Sequence, residues 1–409
     1  MITRLRSLYE SFPRQYWLMI AGLVMATAGG SMIWPFMLIY VGGKLNLPLG
    51  SVAPLISINA GMGLLSSFVA GTLADRIGRK VVMNASLTLT GVAYFLMMRA
   101  DSYQDFVLLM LLIGFSNPLY QVGADAMLAD IIPSERRTEA YAINRIANNA
   151  AFALGPAVGG FLATSSYRFA FIGATAGFLS YSLLLFLRGR ETLTKATQAA
   201  RPGDSRAAGG GRSGYRLVLR DRRYLAFVML MSIGLAAPMM LWILMPVYAK
   251  TNFGLPENLY GWIPTTNALM CVFVQYPITQ ITRRFAAVRA VSAGMLIYAL
   301  GVGSVFLMRG FWGFWLSMVI LTFGELTLVP TASKYVADLA PADSRGRYMS
   351  IYWLGWGFAR TAAPLIGGLL NDMIAPSAIW IGGLSLGLIS AMGLSILSAA
   401  REGVEPAMA

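Results

Sequence analysis

The 409-residue sequence contains no histidine and one cysteine, Cys271. Without imidazole there is no Ser-His-Asp hydrolase, no histidine metal site and no histidine proton relay. A lone thiol excludes internal disulfides and thiolate metal clusters. Charge is scarce as well: Asp, Glu, Lys and Arg make up 12% of the chain, against roughly 25% in soluble domains. Acids are scarcest, 18 against 32 basic residues, for a formal charge of +14. No Gly-x-x-x-x-Gly-Lys-[Ser/Thr] phosphate loop occurs, which excludes ATP hydrolysis by that route. Gly383-Leu384-Ser385-Leu386-Gly387 matches the Gly-x-Ser-x-Gly hydrolase pattern. It lies within an apolar run, however, where small residues let helices pack closely. The chain is expected to be no enzyme and to need neither cofactor nor metal.

What fills the sequence instead is hydrophobic residue, 57% of the total. It comes in runs of about 20, the length an α-helix needs to cross roughly 30 Å of hydrocarbon. Twelve such spans are legible, near 16–43, 51–74, 81–98, 105–129, 140–163, 168–187, 224–249, 260–281, 288–308, 312–335, 347–371 and 377–399. The expected fold is an all-α integral membrane protein of twelve transmembrane helices.

In a soluble protein a charge of +14 would suggest nucleic acid, but here its placement follows topology. With both termini in the cytoplasm, 24 of the 32 Lys and Arg residues fall in cytoplasmic segments. Five fall at the outer face (Lys44, Arg99, Arg168, Lys250 and Arg309) and three inside helices. That asymmetry is the positive-inside rule and orients a multi-pass protein in the cytoplasmic membrane. Nucleic acid is not an expected partner, because no exposed aromatics interleave with the basic residues. The first 14 residues carry no apolar stretch with a small-residue cleavage site, so no signal peptide is expected to be removed.

The one long polar segment, 188–223, is rich in Gly, Ala and Ser and holds ten Lys or Arg residues. It cannot bury a core and reads as a cytoplasmic linker. It separates an N-terminal bundle, 1–187, from a C-terminal one, 224–409. The two repeat each other. Shifted by 208 positions, Ala129, Asp130, Pro133 and Arg137 fall on Ala337, Asp338, Pro341 and Arg345, and Pro156, Gly159 and Gly160 fall on Pro364, Gly367 and Gly368. Ten of 36 positions from Leu128 to Ala163 are identical, and apolar bias alone would not align Asp, Pro, Arg and Gly-Gly. Two six-helix bundles in parallel orientation place a substrate site near the bilayer midplane, opened to each side by rocking.

Gly71-Thr72-Leu73-Ala74-Asp75-Arg76-Ile77-Gly78-Arg79-Lys80, between spans 2 and 3, is read as a tight turn. Gly71 is expected to let two backbones approach, Gly78 to supply a turn conformation and Asp75 to accept from a helix end. The stretch closely resembles the signature loop between helices 2 and 3 of the major facilitator superfamily of secondary transporters. Its counterpart in the second half, Ile278 to Phe285, keeps the cations but has Thr282 where Asp75 would fall. Ala151-Phe152-Ala153-Leu154-Gly155-Pro156-Ala157-Val158-Gly159-Gly160 resembles the Gly-x-x-x-Gly-Pro-x-x-Gly-Gly motif of that family's drug:proton antiporters, with Ala151 replacing the first glycine. Gly155, Pro156, Gly159 and Gly160 are expected to pack against a helix of the other half.

A charge at the bilayer centre costs about 2.5–3.5 kcal/mol on the lenient insertion scale. Glu325 on span 10 and Arg360 on span 11 fall at comparable depth, and Glu325 replaces Asn117 under the 208 shift. Some multidrug antiporters of the family carry an acid at this place, in a similar Gly-Glu context. Two readings stand: Glu325 takes up and releases the coupled proton, or it is permanently paired with Arg360. Asp125 and Arg145 also match in depth and suggest an intracellular gate or ion pair, with Asp125 a further candidate for proton coupling. Asp75, Arg76, Arg79, Asp130 and Asp338 read as a gating latch. Lys334, four residues before Asp338, needs no more than snorkelling to the interface. Span 1 lacks the embedded acid that many drug:proton antiporters carry.

In this fold helices 1, 4, 7 and 10 line the cavity. Trp34, Phe36, Tyr40, Asn117, Tyr120, Gln121, Met240 and Trp242 are the candidates, with Trp353 and Trp356 from helix 11. Aromatic and pliable methionine side chains would accept flat or amphipathic molecules. The resemblance therefore implies a proton-driven exporter of lipophilic or amphipathic compounds, powered by the proton gradient, surrounded by membrane lipids and acting as a monomer. The alternatives are a lipid or glycolipid flippase and a proton-coupled importer of a small metabolite.

Overall fold

Helices form where the apolar runs fall, because a backbone in lipid must satisfy its own hydrogen bonds. The computed structural model describes residues 11–193, 218–341 and 344–402. Among these, every regular element is helical. Helix α1 runs Arg14–Ile33 and resumes at Met37–Leu45 after a 3-10 turn at Trp34–Phe36, where Pro35 removes a donor. It is followed by α2 (Leu49–Ile77), α3 (Arg79–Met97), α4 (Tyr103–Ile131), α5 (Arg137–Ser165) and α6 (Tyr167–Arg188). Then come α7 (Arg222–Phe253), α8 in three pieces (Glu257–Tyr260, Trp262–Phe273 and Gln275–Thr282), α9 (Ala287–Ser304), α10 (Gly310–Leu339), α11 (Arg345–Met373) and α12 (Ala378–Glu402).

Among the described residues, ten spans are long and apolar enough to cross a membrane. The other two are α8, which is broken into short pieces, and α11, which carries Arg345, Arg347, Arg360 and Asp372. Among the described residues the fold is thus all-α, with twelve helices. Of the expected linker, residues 194–217 lie outside the described residues; Asp221 accepts from Tyr224 N at 2.9 Å and caps the start of α7. Ser102 and Asp105 form a capping box at the start of α4.

Two compact units divide the chain. One holds Met1–Leu45, Ile58–Gly203 and Pro256–Ala268; the other holds Asn46–Ser57, Asp204–Leu255 and Leu269–Ala409. In the first, α1 packs along α5 and α6, and α3 packs along α4 and α6. In the second, α7 packs along α11 and α12, and α9 along α10 and α12. These are the same four pairings six helices later, so the sequence repeat is also a packing repeat.

Candidate functional site

The loop after α2 is one residue long. Helix α2 runs through Ile77 and α3 begins at Arg79, leaving only Gly78, with φ +112°, outside a helix. That angle favours glycine, and a Cβ there would also lie 2.6 Å from Glu191 Oε2. Glu191 follows α6 and accepts hydrogen bonds from Arg79 N and Lys80 N, both at 3.0 Å. Its Oε1 also accepts from Thr192 N and Leu193 N. A carboxylate over 100 residues away therefore caps the start of α3, where the helix dipole favours negative charge. Lys80 Nζ returns the contact, donating to Phe186 O at 2.9 Å near the end of α6.

Arg79 is the centre of this end. Its side chain is 4% exposed, pairs with Asp130 on α4, donates from Nη1 to Ala126 O at 3.1 Å and stands 3.9 Å from Asp75. Arg137 closes the end of α4 by donating to Ala129 O and Ile132 O. Of the expected latch, the structure brings together Asp75, Arg79 and Asp130, whereas Arg76 points outward and is exposed. Gly71 is corrected: a Cβ there would meet nothing within 4 Å, so no backbone approaches it.

The repeat unit is built differently. Asp338, the partner of Asp130 under the 208 shift, pairs with Lys334 one turn earlier on α10 rather than with loop arginines. Arg283 and Arg284 are exposed, and Thr282 is buried with its hydroxyl on Thr279 O at 3.1 Å. Asp338 is therefore removed from the latch, because its neighbour on the same helix face satisfies it first.

At the opposite end of α5, the Gly-Pro-x-x-Gly-Gly stretch is a close-packing surface. A Cβ on Gly155 would meet Ser31 Oγ at 1.7 Å, and one on Gly159 would meet Met32 O at 2.0 Å. These two glycines seat α1 of their own bundle, which corrects the expectation of contact across halves. Gly160 and Pro156 do face the start of α8: a Cβ on Gly160 would lie 2.2 Å from Glu257 O, and one on Gly261 would lie 2.2 Å from Pro156 O. Thr265 Oγ1 completes the seat by donating to Ala153 O at 2.6 Å. Glu257 is 4% exposed and accepts from the Tyr167 hydroxyl on α6. Sequence reading placed Glu257 in a loop and missed it; its position one residue after Pro256, as N1 of a short helix, was the available signal.

Within the membrane, Asn117, Gln121 and Asp125 recur every four residues on one face of α4, and Gln121 Nε2 donates to Asp125 Oδ2 at 3.2 Å. The expected Asp125–Arg145 pair is not formed: Arg145 is exposed on α5 and makes no ion pair among the described residues. Equal depth did not fix the direction each side chain takes around its helix. Glu325 is half-buried on α10, within electrostatic reach of Tyr298 on α9, and Arg360 is exposed on α11; both are engaged by neighbours.

The aromatic candidates divide. Trp34 and Trp242 are half-buried, Asn117 and Gln121 are exposed, and Trp353 is exposed with its ring 6.1 Å from Trp356. Phe36 and Met240 are fully buried. Both are corrected from cavity-lining to helix-packing residues, Phe36 against Tyr260 at 6.1 Å. Tyr40 and Tyr120 are half-buried and pack edge-to-face against α6, at Phe171 (4.7 Å) and Tyr181 (5.8 Å) respectively.

Among the described residues, twelve helices in a repeated arrangement, most of them long and apolar, define a multi-pass membrane protein. The sequence profile described as Major Facilitator Superfamily matches residues 19–241 and again 230–407, and the chain belongs to that family. It is therefore a secondary transporter and no enzyme. It is 27% identical over 361 residues to a Na(+), Li(+), K(+)/H(+) antiporter of Planococcus maritimus, covering 82% of this chain and 84% of that one. It is 22% identical over 383 residues to the quinolone resistance protein NorA of Staphylococcus aureus, covering 91% and 94%. Among solved structures, a nucleoside transporter NupG mutant superposes with a TM-score of 0.79 at 14% identity, covering 93% of this chain and 98% of that one. A POT family transporter gives 0.77 at 13% identity, covering 96% and 99%. At these identities the structural likeness speaks for the fold.

Proposed function

We propose that the chain exports lipophilic or amphipathic small molecules in exchange for protons, with the end bearing Arg79 and Lys80 in the cytoplasm. The observation that carries this reading is Glu325, a half-buried carboxylate in the middle of apolar α10 with no acid at the equivalent position, Asn117, of the first bundle. A carboxyl there is least costly when protonated in a dry surrounding and ionises when water reaches it. Proton binding and conformation are thereby linked. The half-buried Trp242 and the exposed Trp353, both of the second unit, offer apolar surface suited to such a substrate, and the relative NorA supports a drug-like one.

The test is transport by purified protein in vesicles with an imposed pH gradient, comparing wild type with Glu325→Gln. Gln keeps the shape of the protonated acid but releases no proton. Gradient-driven uptake should fall at least tenfold while substrate binding persists. Unchanged uphill transport in that variant would remove Glu325 as the coupling group.

A second reading, monovalent cation/proton exchange, is favoured by the oxygen-bearing stripe Asn117, Gln121 and Asp125 and by the Planococcus relative. Running the same vesicles against Na+, Li+ and K+ separates the two, with Asp125→Asn abolishing exchange under the second reading only.

A further inference from the structure

At the basic end of the first unit, the opening turn of α1, the last turn of α6 and the end of α4 enclose a cavity of about 740 Å³. That is within the ~300–1,000 Å³ range of small-ligand sites. Its rim carries Arg14, the first residue of α1, Arg188, the last of α6, and Arg190. Its wall is apolar, with Leu18, Leu184 and Ile131.

No acid lines it. The nearest along the chain, Glu191, has its carboxylate committed to the backbone N–H groups of Arg79, Lys80, Thr192 and Leu193. No ion pair joins the three arginines to an acid among the described residues. Gln15 fixes the geometry: its Nε2 donates to Arg190 O at 2.7 Å and so ties the segment after α6 to α1. The helix ends set this cavity at headgroup depth.

Three guanidinium groups above an apolar wall complement an anionic head carrying hydrocarbon. Arginine forks match phosphate oxygens in pairs, and basic residues near an anionic leaflet contribute about 1 kcal/mol each. We propose that this cavity binds one anionic phospholipid of the adjacent leaflet, its phosphate on Arg14, Arg188 and Arg190 and an acyl chain along Leu18, Leu184 and Ile131. A lipid held there bridges α1 and α6 and steadies Arg190. The next residue, Glu191, caps α3 beside the Asp75–Arg79–Asp130 cluster, so lipid occupancy would be felt at the latch.

The experiment is native mass spectrometry of the full-length protein with phosphatidylglycerol, phosphatidylcholine and inorganic phosphate. One phosphatidylglycerol should be retained in preference to phosphatidylcholine. Replacing all three arginines by Gln should weaken it about a hundredfold, at roughly fivefold per charge. Leu184→Trp keeps every charge, fills the wall and should cost at least tenfold, which also serves if the triple variant folds poorly. Arg283→Gln, Arg284→Gln and Arg289→Gln together remove the same charge elsewhere and should change retention less than twofold. Equal losses in the two triple variants would mean diffuse attraction and overturn the site, as would unchanged retention in Leu184→Trp. Displacement of the lipid by millimolar inorganic phosphate would leave a bare anion site and overturn the lipid assignment.

Discussion

Asp130 and Asp338 occupy the same place in the two halves of the repeat, yet one pairs with Arg79 across helices and the other with Lys334 on its own helix. The difference is set by what surrounds them. In the first unit a one-residue loop at Gly78 holds Arg79 against α4, and Glu191 caps the helix that carries it. In the second, the loop holds Thr282, which turns inward onto its own backbone, while Arg283 and Arg284 remain exposed. A repeated sequence thus produces one three-charge cluster around a buried arginine and one exposed pair. Buried charge networks specify a conformation; exposed pairs contribute little. We expect the first loop to govern the conformational cycle and the second to be a connection.

The largest effect should come from Arg79→Gln. It leaves Asp130 without its partner, at a cost of about 2 kcal/mol, less than for a fully buried pair because the Asp130 side chain is 29% exposed. Thermal unfolding in detergent should show the loss, and adding Asp130→Asn should recover part of it. Strictly additive destabilisation in the double variant would deny the contact.

Gly78→Ala comes next. The positive φ and the 2.6 Å approach to Glu191 together imply about 1–2 kcal/mol. Because part of this is a clash with one side chain, Gly78→Ala combined with Glu191→Ala should cost less than the sum of the two. Glu191→Gln alone retains the size but removes the charge from the helix start, for about 1 kcal/mol, visible as a lower melting temperature and faster proteolysis after α6. Smallest of all should be Lys334→Gln in the second unit, below about 0.5 kcal/mol, since its pair is largely exposed. A melting shift as large as that of Arg79→Gln would erase the contrast between the loops.

The twelve helices were legible because membrane spans announce themselves by length and apolarity, and the parallel repeat because Asp, Pro, Arg and Gly-Gly recur at one shift. Gly78 was legible as a turn glycine, but the ten-residue turn read from Gly71 to Lys80 is corrected to this one residue, because the helices on either side continue through the rest. What sequence could not give was direction around a helix. Asp125 and Arg145 agree in depth and still do not pair, and Phe36 and Met240 lie on cavity-lining helices yet face the interior. Nor could it find partners distant along the chain. Glu191 belongs to a segment that reads as linker, and only the fold brings it to α3. Glu257 follows a proline in an apparent loop, and only the glycines of α5 make room to bury it.

The most direct test sets Asp130→Asn against Asp338→Asn in the same vesicles, with expression, melting temperature and gradient-driven transport measured side by side. The account predicts that Asp130→Asn inserts normally but transports at least tenfold more slowly, while Asp338→Asn stays within twofold of wild type on all three measures. Equal losses in the two variants, or a larger loss in Asp338→Asn, would contradict it.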